Sequence, residues 1–116
     1  MSREKGQYGE SIALASLLNK GYSHIQSNFL SRWGELDLIM EDCDGTIVIV
    51  EVKAYKPNSL VHPIQAITKT KLDRMIKTLR YFWVCRPHLV DRPYRIDVMV
   101  VRHSYVESHH KNIVQL

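Results

Sequence analysis

The sequence predicts an α/β domain, and three observations along the chain predict it. A helical pattern opens the chain, and two apolar segments of strand length, separated by a short polar turn, occupy its middle. A second helical pattern is then followed by an alternating strand. The predicted order is helix, strand, hairpin, helix, strand (αβββαβ). With 116 residues, 45% of them apolar and 24% charged, the chain fits a single globular domain over residues 1–116.

The first element is a helix predicted over residues 4–20, which Gly21 ends because glycine readily adopts the left-handed conformation of a helix stop. Glu10 falls on the apolar stripe of this helix rather than opposite it. Two interpretations are open: an acid that suits the positive end of the helix dipole, or a ligand aimed at what the helix packs on. The apolar stripe consists of Ala13, Leu14, Leu17 and Leu18.

A strand is predicted over residues 22–30, and residues 28–33 look like a connection that leads into the hairpin. Arg32 and Trp33 lie in this connection, next to the hairpin. They are candidates for contacts with a phosphate and a base. The alternative is a solvated arginine and a tryptophan at the edge of the core.

The hairpin pairs residues 34–40 with residues 47–53. If its loop has an odd number of residues, Asp37 lies directly opposite Glu51. Lys53 shares the face of Glu51, because residues two apart on a strand project to the same side. A slip of one residue would move Asp37 to the other face.

These three charged residues lie in segments that otherwise look like core, where an isolated charge is costly to bury. Opposed carboxylates with Cβ atoms about 4.5–5.5 Å apart repel each other unless a cation lies between them. A hard divalent ion with oxygen ligands suits such a place, and Lys53 would then orient a water or stabilise an anion. The alternative is an ordinary salt bridge between Asp37 and Lys53, with Glu51 solvated.

Pro63 begins a predicted amphipathic helix of about five turns that extends to Trp83. Its polar faces carry five basic residues against Asp73, which gives +4, equal to the net charge of the whole chain. This surface is either solvated or follows a phosphate backbone. The basic residues are Lys69, Lys71, Arg74, Lys77 and Arg80.

The alternating residues 94–102 predict a last strand, on which Arg95 and Asp97 share a face and support each other or the hairpin. The tail, residues 106–116, is expected to add one short strand or a segment that binds a partner. Three histidines lack the spacing of helical metal ligands and are expected at the surface. They are His103, His109 and His110.

Cys43 and Cys85 stand alone without CxxC spacing, which predicts neither a zinc site nor a disulfide scaffold. No apolar run approaches the roughly 18 residues of a membrane span, and the first residues lack the apolar region of a signal peptide. We therefore expect a cytoplasmic protein without a membrane partner. The net charge of +4 is compatible with a polyanionic partner.

Several short motifs occur together in a fixed order over nearly the full length. They are residues 6–10, 21–22, 28, 34–39, 50–53, 66–67 with 71, and 95–98. This ordered set resembles the YraN family of small bacterial proteins, within the PD-(D/E)xK nuclease superfamily. The superfamily carries an Asp on one strand and Glu-x-Lys on the next. Leu36 stands where its members usually have a proline.

The resemblance implies a restriction-endonuclease-like core, with a mixed central β-sheet flanked by helices, and a metal-dependent nuclease. It assigns Asp37 and Glu51, with the Val52 carbonyl, to the binding of Mg²⁺ or Mn²⁺. It makes Lys53 the catalytic lysine. Glu10 matches the acid that the resolvase-like branch of the superfamily adds to the site from its first helix.

The family's layout is similar to that of archaeal Holliday junction resolvases, which implies branched or structured DNA as substrate and a two-fold homodimer. Two other functions remain open: a non-catalytic nucleic-acid-binding module with the same fold, and a small interaction protein whose acids and Lys53 are structural pairs. The residues expected to hold the nucleic acid are Arg32, Lys69, Lys71, Arg74 and Lys77.

Overall fold

The computed structural model describes residues 2–55, 60 and 62–114, with side chains from residue 8 onward. These residues contain two α-helices and five strands. Their order is α1, β1, β2, β3, α2, β4, β5. The helices are α1 (Ser2–Asn19) and α2 (Lys69–Cys85). The strands are β1 (Ser23–Ser31), β2 (Gly34–Glu41), β3 (Ile47–Ala54), β4 (Tyr94–Arg102) and β5 (Tyr105–His110).

The five strands form one mixed sheet in the order β1-β2-β3-β4-β5. β3 and β4 run parallel, and the other neighbouring pairs are antiparallel. Because parallel strands need a long crossover, α2 lies in the connection between β3 and β4. The predicted α/β class with a mixed sheet is confirmed, and the architecture is consistent with a restriction-endonuclease-like core. In the described part of the chain, no helix is long and apolar enough to cross a bilayer.

Each face of the sheet is covered by one helix. Alternation along β3 sends Ile47 and Ile49 to the α2 side and Val48 and Val50 to the α1 side. All four are fully buried, and each contributes about 1.5–3 kcal/mol through the burial of its side chain. The helix residues that meet them are Ala13 and Leu17 from α1, and Met75, Leu79 and Phe82 from α2.

The hairpin of β2 and β3 has the predicted register. The regular pairing ends at Leu38 and Val50, in the register that the prediction requires for Asp37 and Glu51. The turn ends at Gly45, whose φ of +89° is readily adopted only by glycine. The local turn therefore fixes the register of the two strands.

The prediction of a single helix over residues 63–83 is wrong at the start of that range. A short 3-10 turn, Pro63–Ala66, comes first, and Ile67 and Thr68 are extended before α2 begins. Thr68 is the reason for the break, because its side chain accepts a hydrogen bond from the Lys71 N–H and caps the first turn of α2.

The other boundaries differ less from the prediction. β1 continues to Ser31, so the connection expected over residues 28–33 is reduced to a turn at Arg32 and Trp33. The strand predicted over residues 94–102 is confirmed as β4. The expected strand of the tail is β5, although it begins one residue earlier, and residues 115–116 of the tail lie outside the described residues.

Candidate active site

The regular alternation of β2 breaks at Asp37. Leu36 packs in the α2-side core and Leu38 in the α1-side core, although residues two apart on a regular strand share a face. On β1, Asn28 lies opposite this break, between the paired positions on either side, and has a φ of 53°. Asp37 thus occupies an irregular point of the sheet, where its carboxylate replaces a ladder contact: its Oδ2 accepts the Val52 N–H at 2.9 Å.

Three carboxylates meet at this point. Glu10 from α1 and Glu35 and Asp37 from β2 each offer an oxygen within 4.8 Å of the others. Asn28 fixes Glu10, because its Nδ2 donates to Glu10 Oε1 at 2.7 Å. α1 begins at Ser2, so Glu10 lies two turns inside the helix. The interpretation of Glu10 as an end-capping acid is therefore wrong, and its side chain is aimed at the sheet.

Glu51 is buried beside this cluster and is only 3% exposed. Its Oε2 lies 3.3 Å from the Lys53 ammonium and 3.2 Å from the Lys71 ammonium, which comes from the first turns of α2. The alternative in which Glu51 is solvated is wrong. A buried carboxylate between two ammonium groups keeps its charge satisfied while both lysines remain partly open to solvent.

Burial and the neighbouring acids raise the proton affinity of the Asp37 carboxyl. Burial raises its pKa to about 8, together with the nearby charges of Glu51 and Glu10, while the Val52 N–H opposes the shift. Near neutral pH this carboxyl carries a proton unless positive charge is placed beside it. An all-oxygen cluster with one such acid has the chemistry of a site for a hard divalent cation.

An open cavity of about 300 Å³ adjoins the cluster, and Glu10 and Asn28 form part of its wall. Most of the cavity wall comes from α1 and β1. The remaining lining residues are Ser11, Leu14, Ser27 and Leu38.

The sequence of this chain matches the model of one protein family. The model described as "Uncharacterised protein family UPF0102" matches residues 9–101, which is well over half of the chain. The chain belongs to UPF0102. This is the YraN-like family, so the resemblance deduced from the ordered motifs is confirmed.

Relatives with the UPF0102 designation align over most of this chain. The UPF0102 protein of Persephonella marina is 36% identical over 112 residues, 97% of this chain and 94% of its own length. The UPF0102 protein of Clavibacter michiganensis subsp. michiganensis is 40% identical over 104 residues, 87% of this chain and 86% of its own. These names state a family and no reaction, so function has to be inferred from the site.

In this UPF0102 protein the predicted acids and the lysine lie close together, but they form two adjoining groups. Asp37 and Glu10 share the three-carboxylate cluster, whereas Glu51 is turned to its lysines. Val52 contributes its N–H to Asp37. Lys71, expected on the nucleic-acid surface, instead contacts Glu51 in the site.

The other predicted nucleic-acid residues lie in the β1–β2 turn and on α2. Arg32 stacks over Trp33, with its guanidinium carbon 4.7 Å from the ring centroid. The remaining predicted residues are exposed on α2; they are Lys69, Arg74 and Lys77.

Sequence reasoning missed Glu35 and Asn28. Glu35 is two residues before Asp37, and this spacing on a strand was an available signal. Asn28 belonged to the matched motifs, but its role depends on the packing of α1 against the sheet. Nothing in the local pattern indicated that Lys71 would reach across to β3.

A second polar network lies on the α1 side of the sheet. It includes His109, which was predicted to lie at the surface. His109 is buried, not at the surface: its side chain is 8% exposed and its Nε2 lies 2.8 Å from Asp97 Oδ2. Arg95 Nε donates to Asp97, and Arg95 also pairs with Asp42 after β2, as expected of residues that support the hairpin. This network anchors β4, β5 and the hairpin to one another.

Proposed function

We propose that this protein is a metal-dependent nuclease that hydrolyses phosphodiester bonds in DNA. The observation that carries the proposal is the meeting of Glu10, Glu35 and Asp37 beside a buried Glu51 that is paired with two lysines. Half-buried acids this close together, beside a buried one, are otherwise unfavourable, which is typical of a site that binds a ligand rather than one that stabilises the fold.

The donors fit Mg²⁺ or Mn²⁺. Carboxylate oxygens are the ligands that such hard cations prefer. The pKa of Asp37 is raised by burial and by the charges of Glu51 and Glu10, and a bound cation would oppose both effects. We propose that Asp37, Glu51, Glu10 and the Val52 carbonyl hold the ion, with Glu35 as an additional acid. When bound, the ion supplies positive charge to the phosphodiester and makes water more acidic at neutral pH.

The two lysines supply the rest of the chemistry. Lys53 and Lys71 converge on one oxygen of Glu51, so their ammonium groups lie on the same side of the sheet. There they orient a phosphate and offset the negative charge that builds on its oxygens during attack. Lys53 is the proposed catalytic lysine, and Lys71 reinforces its charge from α2.

The exposed basic residues of α2 are proposed to hold the DNA backbone. Lys69, Arg74 and Lys77 are exposed on the helix that delivers Lys71 to the site. Contacts of this type position the strand without reading its sequence and weaken with salt. The likeness to resolvases favours a branched substrate, and a two-fold homodimer would place two sites for cutting two strands.

A non-catalytic nucleic-acid-binding module is the second candidate. It is favoured by the pairing of Glu51 with Lys53 and Lys71, because this pairing balances the charge of Glu51 without a cation. In that case the basic face of α2 would act alone.

A cutting assay separates the two candidates. Duplex, junction, flap and single-stranded DNA are incubated with the protein in Mg²⁺ or Mn²⁺, and we expect cleavage of at least one substrate. Lys53→Ala is expected to lower the rate by about 100- to 1,000-fold, because it removes a group that stabilises developing charge. DNA binding by the variant, measured by anisotropy in a chelator, should stay near that of the wild type.

The matched control is Asp73→Asn, which changes an exposed charge on α2 outside the site. It should cut like the wild type. Absence of cleavage on every substrate, with binding intact, would contradict the nuclease and support the binding module.

A further inference from the structure

We propose that a groove between the β1–β2 turn and α2 is a stacking site for an unpaired base of a nucleic acid strand. The groove, called here the Trp33 groove, is lined by Trp33, Lys77, Arg80, Tyr81 and Val84. The proposal deepens the proposed function, on which it rests for its substrate class, by adding a single-stranded segment to the DNA that is bound.

Two aromatic rings of the groove are held in place and remain accessible. Tyr81 is 43% exposed, and its ring lies 5.8 Å from the ring of the buried Phe29, which supports it from the protein side. Trp33 is partly exposed and carries the Arg32 guanidinium 4.7 Å from its ring centroid. Rings of this kind stack on any base, because every base has a flat π-face.

The turn that presents Trp33 is tied to α2. The Trp33 N–H donates to Ser31 Oγ at 3.1 Å, and that hydroxyl lies 2.7 Å from the Thr78 hydroxyl of α2. Thr78 is fully buried. Because the turn and the helix are joined in this way, little conformational freedom is lost when a base enters the groove.

The surface inside the groove is mostly apolar, while the side chains that line it include two cations, which favours a partner that combines flat apolar rings with negative charge. Lys77 and Arg80 line it, and Arg32 lies beside it. Lys77 follows Lys71 by six residues of α2, or about 9 Å along the helix axis. Lys77 of the groove and Lys71 of the candidate active site are also about 120° apart around that axis, so a strand that meets both would wrap partly around α2.

The occupant is a single strand, since the bases of a duplex are already stacked on their neighbours. An acidic peptide matches the cations of the groove, but it offers no flat ring to Trp33 and Tyr81. The chemistry of the groove, with two rings and two cations, is that of single-strand binding surfaces.

The test compares two probes in a buffer that contains EDTA: fluorescein-labelled oligothymidylate, and the same backbone with abasic residues. Trp33→Ala is expected to weaken oligothymidylate binding by about 5- to 100-fold, the range that base stacking provides. Its affinity for the abasic strand should not change. Trp33→Phe should restore most of the oligothymidylate binding, while Lys77→Ala should weaken both probes equally.

The matched control is Tyr105→Ala, because Tyr105 is an exposed aromatic on β5, outside the groove. It should bind both probes like the wild type. An equal loss of both probes in Trp33→Ala, or displacement of oligothymidylate by polyglutamate as readily as by unlabelled oligothymidylate, would overturn the proposal. Because EDTA prevents cutting, the outcome is independent of the nuclease: a protein that never cuts can pass this test, and one that cuts can fail it.

Discussion

The Asp37 carboxylate lies where negative charge is unfavourable. Burial and the nearby Glu51 and Glu10 raise its pKa to about 8, and its one backbone donor, the Val52 N–H, only partly opposes them. A group placed this way lowers the stability of the fold at neutral pH. Such a position is more consistent with function than with structure, because active sites commonly trade stability for chemistry.

We therefore expect Asp37→Asn to stabilise the protein while it abolishes cutting. The amide keeps an oxygen that can accept the Val52 N–H, and it is neutral without taking up a proton on folding, as the carboxyl must at pH 7. The free energy of unfolding in chelator at pH 7, measured with urea, should rise by about 1 kcal/mol. A fall of similar size would instead identify Asp37 as a member of a structural ion pair.

The raised pKa of Asp37 also predicts how the stability of the protein depends on pH. Asp37 has a folded pKa of about 8 against an ordinary value of 3.8, so the folded state holds the proton more tightly. Its contribution to stability is fully present below about pH 4 and is lost as the pH rises to about 8. Relative to Asp37→Asn, the wild type should lose stability from pH 5 to pH 8 and then level off. A constant difference across this interval would contradict the prediction.

At the scale of elements, β4 and β5 are joined to the hairpin by one buried carboxylate. Asp97 is fully buried and is bonded to His109 on β5 and Arg95 on its own strand; the Asn112 N–H after β5 also donates to it. Although burial raises the pKa of Asp97, these donors lower it below its ordinary value. Its ion pairs thus favour the folded state above about pH 4, and the benefit is lost on further acidification.

Asp97→Asn should therefore destabilise the protein, in contrast to Asp37→Asn. It leaves Arg95 and His109 without their buried anion, and loss of one partner of a buried pair typically costs about 3–5 kcal/mol. Urea unfolding at pH 7 measures the change. Asp73→Asn, at an exposed position of α2, is the control and should stay within about 0.5 kcal/mol of the wild type. Equal stability of Asp97→Asn and the control would refute the anchoring role.

At the scale of the whole molecule, the two helices cover opposite faces of the sheet, and both reach one site. Glu10 comes from α1, Lys71 from α2, and the hairpin between them supplies Asp37, Glu51 and Lys53. A ligand that binds all these elements stabilises the entire fold, since it binds the native state alone.

Mn²⁺ is accordingly expected to stabilise the protein. At a free concentration about 100 times its Kd, the ion should add about 2.7 kcal/mol to the free energy of unfolding, seen as a rise in Tm. Glu10→Gln and Asp37→Asn should abolish the rise, and Asp73→Asn should retain it. A rise of the same size in all three variants would place the ion outside the proposed site.

The sequence determined the elements, the register of the hairpin and the meeting of Asp37, Glu51 and Lys53, because a two-residue period and a short turn are local properties of the chain. It also placed Glu10 on the face of α1 that packs on the sheet. Local periodicity could not separate the 3-10 turn from α2, because the apolar pattern runs through both and only the Thr68 cap divides them.

Only the tertiary structure decided the rest of the site. Glu35 joins the cluster because the packing of α1 on the sheet brings Glu10 to it, and Lys71 reaches Glu51 because α2 packs on the same face of the sheet. His109 is buried because β5 pairs with β4 and brings the ring to Asp97. Each of these contacts depends on how separate elements pack, and packing is set by the whole core rather than by the residues on either side in the sequence.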